Sequence, residues 1–452
     1  MSPYDETVVA VANRVVDEAI AAALGASEQE AVVGVAPAGG GKSYAIGTAV
    51  RAARDLDLRV AVATPTNEQA FALVSGIAER LTDETVTFVP ASTVTLPTEH
   101  RRPNTVEREA RNTGADSILV GTLSKLGDAF GRGSLRPVDL LLVDEAYQAN
   151  AVHYYMVGDL APRHLLMGDS GQLAPFTTAP AADRWRGLDE DPLLTAVEVL
   201  LRNHPDSAEF RLPISRRLDP RAIPVARTFY PGHEFAAAVK PGVRELVLAG
   251  ATGPRENRFL DAVLDHAAPS GWAHLELPES AVLTADPEAI ETIVALVRRL
   301  FERKPRVRCE RHRSWGELRS DQVAVAVSHN DQKALLRMAL DDAGFQNVVV
   351  NTANKLQGLT FEVVLAWHPL AGLLEVDDFH IDPGRLCVML TRHRQACIVV
   401  GRAADRELVN GIPPATPSYV GWDSNPGLEG WYAHESVFAA LEAHRIAMGS
   451  SV

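Results

Sequence analysis

The stretch Ala36-Pro-Ala-Gly-Gly-Gly-Lys-Ser43 decides how this chain folds. It follows an apolar run at 31–35, so the sequence predicts a buried strand, a glycine-rich turn and the start of a helix. Glycines let backbone N–H groups converge on an anion, and the helix N-terminus adds the positive end of its dipole. We therefore expect a phosphate-binding loop in which Lys42 reaches the β- and γ-phosphates and Ser43 holds Mg²⁺.

Ala36 stands where the usual pattern has its first glycine, which replaces one small residue by another. The alternative is a plain glycine-rich turn that carries a surface lysine. If the loop binds a nucleotide, its contacts are predicted to come from Pro37, Ala38, Gly39, Gly40, Gly41, Lys42 and Ser43.

Composition sets the limits of the remaining interpretation. The chain has 452 residues, 46% of them hydrophobic and 23% charged, which is typical of a globular protein of two or three domains. The three cysteines form no C-x-x-C pair, so we expect a reducing compartment and no structural zinc. Acidic residues near the N-terminus argue against a secretory signal, and no stretch is apolar enough to span a membrane. We therefore expect a cytoplasmic protein without a membrane partner.

The formal net charge is −14. This value argues against a surface that is basic throughout, but it leaves room for a local basic groove, because binding follows the distribution of charge. Strands alternate with helices through the first half of the chain, which predicts an α/β fold with a parallel sheet and ligands at the carboxyl ends of its strands. Residues 82–112 are polar and interrupted by prolines, so we expect a small insertion there.

A second chemically loaded segment follows the buried strand predicted at 139–143. It reads Asp144-Glu-Ala-Tyr-Gln148. After a phosphate-binding loop, the first acid of such a pair holds Mg²⁺ and the second orients and deprotonates the attacking water. An isolated Asp-Glu pair is more often a solvated loop. Further on, Gln172 lies in a Gly/Pro-rich turn at 168–175 and could sense the γ-phosphate, or the turn could be purely structural.

These segments occur in the order seen in superfamily 1 helicases, and the second half of the chain continues the resemblance. Leu212–Pro220 resembles the motif whose arginine contacts the γ-phosphate, and 328–330 resembles the loop that grips the nucleic-acid backbone. Residues 351–358 resemble the motif that couples the second domain to both ligands, and 384–392 the final motif with its arginine finger. The resemblance, to the branch with Asp-Glu-Ala-x-Gln, runs from about residue 31 to residue 401.

The resemblance implies two tandem RecA-like P-loop domains with parallel sheets, ATP and Mg²⁺ in the cleft between them, and single-stranded nucleic acid across their tops. It makes Lys42, Glu145, Gln172, Arg217 and Arg392 catalytic, Asp144 and Ser43 metal ligands, and Gln357 and Gly358 further nucleotide contacts. The nucleic-acid contacts that it implies are Thr64, Pro65, Thr66, Asn67, Thr122, Lys125, His329, Asn330 and Thr352. Thr360 stands where the family has a glutamate.

The domain boundaries that we predict are 1–180 for the first domain, 181–208 for a linker, 209–402 for the second domain and 403–452 for a short C-terminal tail. Accessory domains that act as wedges in larger relatives are minimal here. We therefore expect a protein partner that supplies a wedge or targeting, and single-stranded nucleic acid as the main partner, with DNA favoured over RNA.

A basic segment at 298–313 is not part of the motif set. Pro305 should stop the preceding helix, so Arg306, Arg308, Arg311 and Arg313 would lie in an extended stretch that could contact phosphates. The alternative is a solvated helix end, which is the commoner role of a charge run.

Two functions from different classes remain open on the sequence alone. The first is a nucleic-acid-dependent ATPase motor, a helicase or a single-strand translocase. The second is an NTP-driven switch that regulates a protein partner without translocation. The predicted phosphate-gripping loops at 64–67, 122–125 and 329–330 favour the motor, because a pure switch does not need them.

Overall fold

The computed structural model describes residues 2–25, 31–114, 116–175, 182–185, 188, 191–251, 257–281, 285–411 and 426–448. In this part of the chain, none of the helices has both the length and the apolar character needed to cross a bilayer.

The helices, in chain order, are α1 (Glu6–Gly25), α2 (Lys42–Asp55), α3 (Asn67–Arg80), α4 (Leu123–Gly131), α5 (Ala151–Val157), α6 (Ala196–Asn203), α7 (Ile223–Arg227), α8 (Arg258–Ser270), α9 (Pro287–Glu302), α10 (Asn330–Asp342), α11 (Ala353–Leu356), α12 (Asp378–Ile381), α13 (Pro383–Leu390), α14 (Asp405–Asn410) and α15 (Pro426–Leu441).

The strands are β1 (Ala31–Val35), β2 (Val60–Thr64), β3 (Val86–Phe88), β4 (Thr105–Glu107), β5 (Ile118–Thr122), β6 (Leu140–Asp144), β7 (His164–Gly168), β8 (Ala208–Arg211), β9 (Ile214–Ser215), β10 (Ala236–Ala237), β11 (Glu245–Val247), β12 (Trp272–Leu277), β13 (Arg306–Cys309), β14 (His312–Glu317), β15 (Val323–Val327), β16 (Val349–Thr352), β17 (Phe361–Trp367), β18 (His393–Arg402) and β19 (Arg445–Ala447).

The first sheet has eight strands in the order β4-β3-β5-β2-β6-β7-β1-β8, and every pairing is parallel. Strands β1, β2, β5, β6 and β7 are buried along their whole length. This explains their continuous apolar sequences, since a parallel sheet is covered by helices on both faces. Their carboxyl ends therefore lie along one edge, as the alternating pattern predicted, and the α/β class is confirmed.

The predicted insertion and linker both contribute to the first sheet. Residues 82–112 supply β3 and β4, which form its far edge. The predicted linker at 181–208 contains α6, and β8 begins at its end and pairs with β1 in parallel. The predicted boundary at 180 lies outside the described residues. We propose that the first domain extends through β8, because that strand completes its sheet.

The second sheet has six parallel strands in the order β16-β15-β17-β18-β12-β19. Strand β19, from the predicted C-terminal tail, pairs with β12. In α15, the Trp431 side chain packs against a cluster that includes Leu370, Val409 and Phe438. We therefore propose that the described tail residues belong to the second domain, to which the packing of Trp431 anchors them.

A small antiparallel sheet, β11-β13-β14, lies beside the second domain. It contains the basic segment, and Arg306 and Arg308 lie in β13, the extended stretch expected after Pro305. We call β13–β14, with its two-residue turn at Glu310 and Arg311, the basic hairpin.

Candidate nucleotide and nucleic-acid sites

The phosphate-binding loop joins β1 to α2, and two of its glycines adopt backbone angles that suit only glycine. Gly39 has φ 72° and Gly41 has φ 92°, both left-handed. A Cβ atom on Gly39 would lie 2.4 Å from the Cβ of Arg217. The glycine therefore also lets the segment that carries Arg217 pack directly on the loop. Gly41 is the N-cap of α2, so the N-terminus of this helix lies at Lys42 and the exposed Ser43.

Lys42 lies among acidic residues, of which the sequence predicted Glu145 as catalytic and Asp144 as a metal ligand. Its Nζ is 3.3 Å from Oε1 of Glu145 and 3.8 Å from Oδ2 of Asp169. Burial alone would lower the pKa of Lys42, but the carboxylates of Glu145, Asp169 and Asp144 outweigh it and the pKa is raised. Lys42 is therefore held as a cation at the loop, as contact with phosphates requires.

Asp144 ends β6 as a buried carboxyl group. Burial, followed by the charge of Glu145, raises the pKa of Asp144 to about 7. Its Oδ1 has no hydrogen-bond partner among the described residues. A buried carboxylate oxygen without a partner is costly unless a cation meets it. The chemistry of this oxygen therefore fits the Mg²⁺ ligand that the sequence predicted.

Glu145 adopts φ 53°, a left-handed conformation that costs a residue with a side chain about 1–3 kcal/mol. The next backbone N–H, of Ala146, donates to the carbonyl of Met167 in β7 at 3.0 Å. The chain therefore turns sharply where β6 ends, and the Glu145 side chain is directed to Lys42. Strain at this position is consistent with a functional requirement for the carboxylate.

Asp169 and Tyr230 are site residues that the sequence reasoning missed. The Tyr230 hydroxyl donates to Oδ1 of Asp169 at 2.8 Å and accepts from the backbone N–H of Ala38 at 2.9 Å. Asp169 also accepts from the side chain of Gln172. The signal for Asp169 was present, since it stands next to Gly168 at the carboxyl end of β7. Nothing in the local sequence of Tyr230 indicated its role.

Gln172 is linked across the domains, as its predicted role near the γ-phosphate would require. Its Oε1 accepts from Nε2 of Gln357 at 3.1 Å. A Cβ atom on Gly384 would lie 2.7 Å from the Gln172 carbonyl oxygen, so α13 packs closely on the loop after β7. The structure thus brings together the predicted residues Gln172 and Gln357. Gly358, next to Gln357, has φ 82°.

The two predicted arginine fingers lie near one another at this cleft, where Arg392 is buried and Arg217 is half-buried. Arg217 donates from Nε to Oγ1 of Thr360 at 2.9 Å and from Nη1 to the carbonyl of Thr391 at 3.3 Å. Burial, with the positive charge of Arg392, lowers the pKa of Arg217 to about 9. Two neighbouring cations that form no ion pair within the described residues favour an anion, which a nucleotide phosphate would supply.

Thr360 is a position at which the chain departs from the family pattern. It stands where the family has a glutamate, and here its hydroxyl accepts a hydrogen bond from Arg217. The Nη1 of Arg392 has no hydrogen-bond partner within the described ranges, whereas its Nε donates to the carbonyl of Val388 at 3.2 Å. Nη1 of Arg392 is therefore the atom available to a phosphate oxygen.

Arg216, next to Arg217, is a further residue at the loop. Its guanidinium carbon lies 5.1 Å from the ring centroid of Tyr44, and that of Arg80 lies 4.4 Å from the same ring. Both contacts are in the range of cation–π attraction. The position of a Cβ on Gly41 would be 3.2 Å from Nε of Arg216, so this side chain closes the outer side of the loop.

The predicted nucleic-acid residues of the first domain, except Thr64, line one groove of about 650 Å³. It lies at the carboxyl ends of β2 and β5. Thr66 and Thr122 are the N-caps of α3 and α4, so two helix N-termini open at the groove. The residues that line it are Pro65, Thr66, Asn67, Glu68, Ala91, Ser92, Thr122, Ser124, Lys125, Asp128 and Arg132. Thr64 is buried beneath it and donates to the carbonyl of Thr66 at 2.8 Å.

The second-domain residues predicted to bind nucleic acid follow the same rule of topology. His329 caps α10 after β15, Asn330 begins α10, and Thr352 ends β16 and caps α11. Parallel pairing of these strands places the three residues at one edge of the second sheet. His329 stacks on the partly exposed ring of Phe379 with centroids 5.0 Å apart.

The basic hairpin lies at the opposite edge of that sheet. Nε2 of Gln395, near the start of β18, donates to the carbonyl of Arg308 at 2.9 Å. Ala396, the next residue, pairs with Val363 in β17. Val363 also pairs with Val323, the first residue of β15, so Ala396 and Val323 lie at the same height in the sheet. Five residues of strand, roughly 16 Å, separate Val323 from the edge that carries His329 and Thr352.

The arginines of the basic hairpin differ in whether they are free to contact a phosphate. Arg308 is paired with Glu245 at 2.6 Å and stacks over Trp315, whereas Arg306 and Arg311 are exposed. Arg313 lies in β14. The assignment of these four arginines to nucleic-acid binding stays a prediction, and their position requires a contact outside the groove of the first domain.

Comparison with known proteins agrees with the two-part architecture. Two family models, both described as an AAA domain, match residues 17–184 and 276–404. A search of curated proteins finds no significant match to this sequence.

Two solved structures are similar to this chain at low identity. The Arterivirus nonstructural protein 10 (helicase), in complex with DNA, is 14% identical over 88% of this chain and 65% of its own, with a TM-score of 0.42. The chain thus spans 65% of the length of that viral protein. S. cerevisiae dbp5, bound to nup159, gle1, ip6 and adp, is 10% identical over 97% of this chain and 91% of its own, with a TM-score of 0.43.

A phosphate-binding loop with a lysine–carboxylate cluster on one parallel sheet, faced by two arginines, is the arrangement typical of P-loop nucleoside triphosphatases. The two AAA-type domain matches are typical of superfamily 1 helicases.

Proposed function

We propose that the chain hydrolyses ATP with Mg²⁺ and uses domain closure to move along single-stranded nucleic acid, with DNA favoured over RNA. One observation carries this proposal. The carboxyl ends of β1, β6 and β7 hold the nucleotide residues, and the ends of the neighbouring β2 and β5 form the groove with two helix N-termini. Both ligands would therefore bind along one edge of one rigid sheet.

The residues of the nucleotide site have distinct roles in this proposal. Lys42 and the loop N–H groups bind the phosphates, and Glu145 orients the attacking water and accepts its proton. Arg217 and Arg392 stabilise the charge that develops on the transferred phosphoryl group. Because Arg392 follows α13 in the second domain, its contact with the phosphate depends on how closely that domain packs on the loop.

Asp144 and Ser43 would hold Mg²⁺ in this site, and the unpartnered Oδ1 of Asp144 is the observation that supports it. When bound, the ion would neutralise charge on the phosphate oxygens. Asp169 contacts other side chains of the site and is not assigned to the metal ion. It accepts from Tyr230 and Gln172 and lies near Lys42, which fixes the lysine in place.

The groove of the first domain would bind the nucleic-acid backbone rather than its bases. Helix N-termini and Lys125 suit phosphate oxygens, which carry no sequence information. We propose His329, Asn330 and Thr352 as the corresponding contacts of the second domain. A protein partner would supply a wedge or targeting, and the cytoplasm is the proposed compartment.

The experiment that tests the proposal measures ATP hydrolysis with and without single-stranded DNA or RNA, using wild type and Lys42→Ala. We expect stimulation of the wild type by single strands, more by DNA than by RNA, and no hydrolysis by the variant. Hydrolysis that ignores both nucleic acids would instead support an NTP-driven switch. Duplex unwinding by the isolated chain should be weak, since its wedge elements are minimal.

A further inference from the structure

A chain of side-chain hydrogen bonds connects the nucleic-acid groove to Glu145. Nε2 of Gln69, in α3, donates to Oε1 of Gln148 at 3.0 Å. Nε2 of Gln148 in turn donates to Oε2 of Glu145 at 3.2 Å. The two glutamines lie 79 residues apart in sequence and meet because β2 and β6 are neighbours in the sheet.

At the groove end, Gln69 is fixed by a capping box. Its Oε1 accepts from the backbone N–H of Thr66 at 3.1 Å, and the Thr66 side chain accepts from the N–H of Gln69 at 3.4 Å. Thr66 lines the groove and is exposed. A phosphate that binds at the N-terminus of α3 would therefore act on Thr66, which is hydrogen-bonded to the side-chain amide of Gln69.

At the nucleotide end, Glu145 has two partners, one for each oxygen. Oε1 faces Lys42 at 3.3 Å and Oε2 accepts from Gln148. Each of these contacts competes with the role of Glu145 in orienting water. In this structure Lys42 and Gln148 hold the carboxylate, so it has to leave at least one of these contacts to orient the attacking water.

We propose that Gln69 and Gln148 form a relay that couples occupancy of the nucleic-acid groove to the orientation of the Glu145 carboxylate. This inference rests on the proposed function, since it assigns a route for the stimulation of hydrolysis by single strands. Each glutamine uses its oxygen as acceptor and its NH₂ as donor, so every bond of the relay has a fixed direction. Gln148 is a positioning residue, because it acts through Glu145.

The test compares hydrolysis at saturating ATP with and without a saturating single-stranded thymidine oligonucleotide. The readout is the ratio of the two rates, because the basal rate itself can change when Gln148 releases Glu145. For Gln148→Leu, we expect the ratio to fall at least fivefold while the dissociation constant for the oligonucleotide stays within about twofold. Gln148 does not line the groove, so its removal leaves the phosphate contacts intact.

Gln69→Leu breaks the same relay at its groove end. The double variant should lower the ratio no further than either single variant does, since both substitutions interrupt the same pathway. Gln322→Leu is the matched control. It removes the hydrogen bond that Oε1 of Gln322 accepts from the backbone N–H of Arg319 at 2.9 Å, in the second domain, and should keep the wild-type ratio. A wild type that is stimulated, with a Gln148→Leu variant stimulated within twofold of it, overturns the relay alone. A wild type that no single strand stimulates overturns the proposed function as well.

Discussion

Arg244 and Glu310 form a buried ion pair behind the segment that carries Arg217. Nε and Nη2 of Arg244 each lie 2.8 Å from a carboxylate oxygen of Glu310, and the two side chains are 0% and 4% exposed. The same guanidinium donates to the carbonyl of Arg216 at 2.9 Å and to that of Arg217. The turn of the basic hairpin thus supports the backbone of a proposed arginine finger.

We expect Glu310→Gln to lower both stability and kcat. Removing one partner of a buried pair costs about 3–5 kcal/mol, and Arg217 would lose part of its backbone support. Asp286→Asn is the control, because it breaks the buried pair of Arg402 with Asp286, 2.6 Å apart, far from the arginines. Thermal unfolding and steady-state kinetics of both variants check this. An equal loss of kcat in the control would make the hairpin contact merely structural.

Replacing Glu145 should separate binding from turnover. Glu145→Gln keeps the shape of the side chain and spares Asp144, so nucleotide should still bind. Loss of a general base typically lowers kcat by about 10²–10⁴-fold. Nucleotide titration and single-turnover hydrolysis would measure the two effects, and near-normal turnover would remove Glu145 from its role.

Arg217→Ala and Arg392→Ala should lower kcat far more than they change nucleotide affinity, by about 10³-fold or more, as expected for contacts made in the transition state. Thr360→Val should have a smaller effect in the same direction, since it removes only the acceptor of Arg217 Nε. Initial-rate kinetics over a range of ATP concentrations would check the order of the three variants. A variant that changes only KM would lose its assignment to the transition state.

Asp405 gives a prediction of pH dependence away from the site. Burial raises the pKa of Asp405 to about 7, above that of an exposed aspartate. The folded protein therefore binds the proton more tightly than the unfolded chain, and this contribution to stability is lost progressively as the pH rises from about 4 to about 7. Asp405→Asn, which resembles the neutral form, should raise the melting temperature clearly more at pH 8 than at pH 5. An equal shift at both pH values would contradict the raised pKa.

Lys125 should contribute one phosphate contact. We expect Lys125→Ala to weaken binding of single strands of any sequence and to lower the slope of log K against log salt by about one. Fluorescence anisotropy at several salt concentrations would measure it. Arg306→Ala in the same titration tests the sequence-based assignment of the basic hairpin, which requires a similar change of slope.

The sequence by itself determined the chemistry of this protein. The phosphate-binding loop and the Asp144–Glu145 pair are contiguous segments placed directly after apolar strands. A strand that runs into a functional turn is a local feature, so it can be read from residue types and spacing. The order of these segments resembles that of superfamily 1 helicases, and this resemblance implied two RecA-like domains. The alternation of strands and helices predicted that ligand-binding residues collect at one edge of a parallel sheet.

Only the tertiary structure decided which distant residues meet. Arg217 and Thr360 are 143 residues apart, Asp169 and Tyr230 are 61 apart, and Arg244 and Glu310 are 66 apart. These pairs depend on strand order, on register and on how the second domain packs on the first. The same holds for the places of β8 and β19 in their sheets and for the edge at which the basic hairpin lies. A short segment of sequence carries its own propensity and chemistry, but the position of its neighbours is set by the packing of the whole chain.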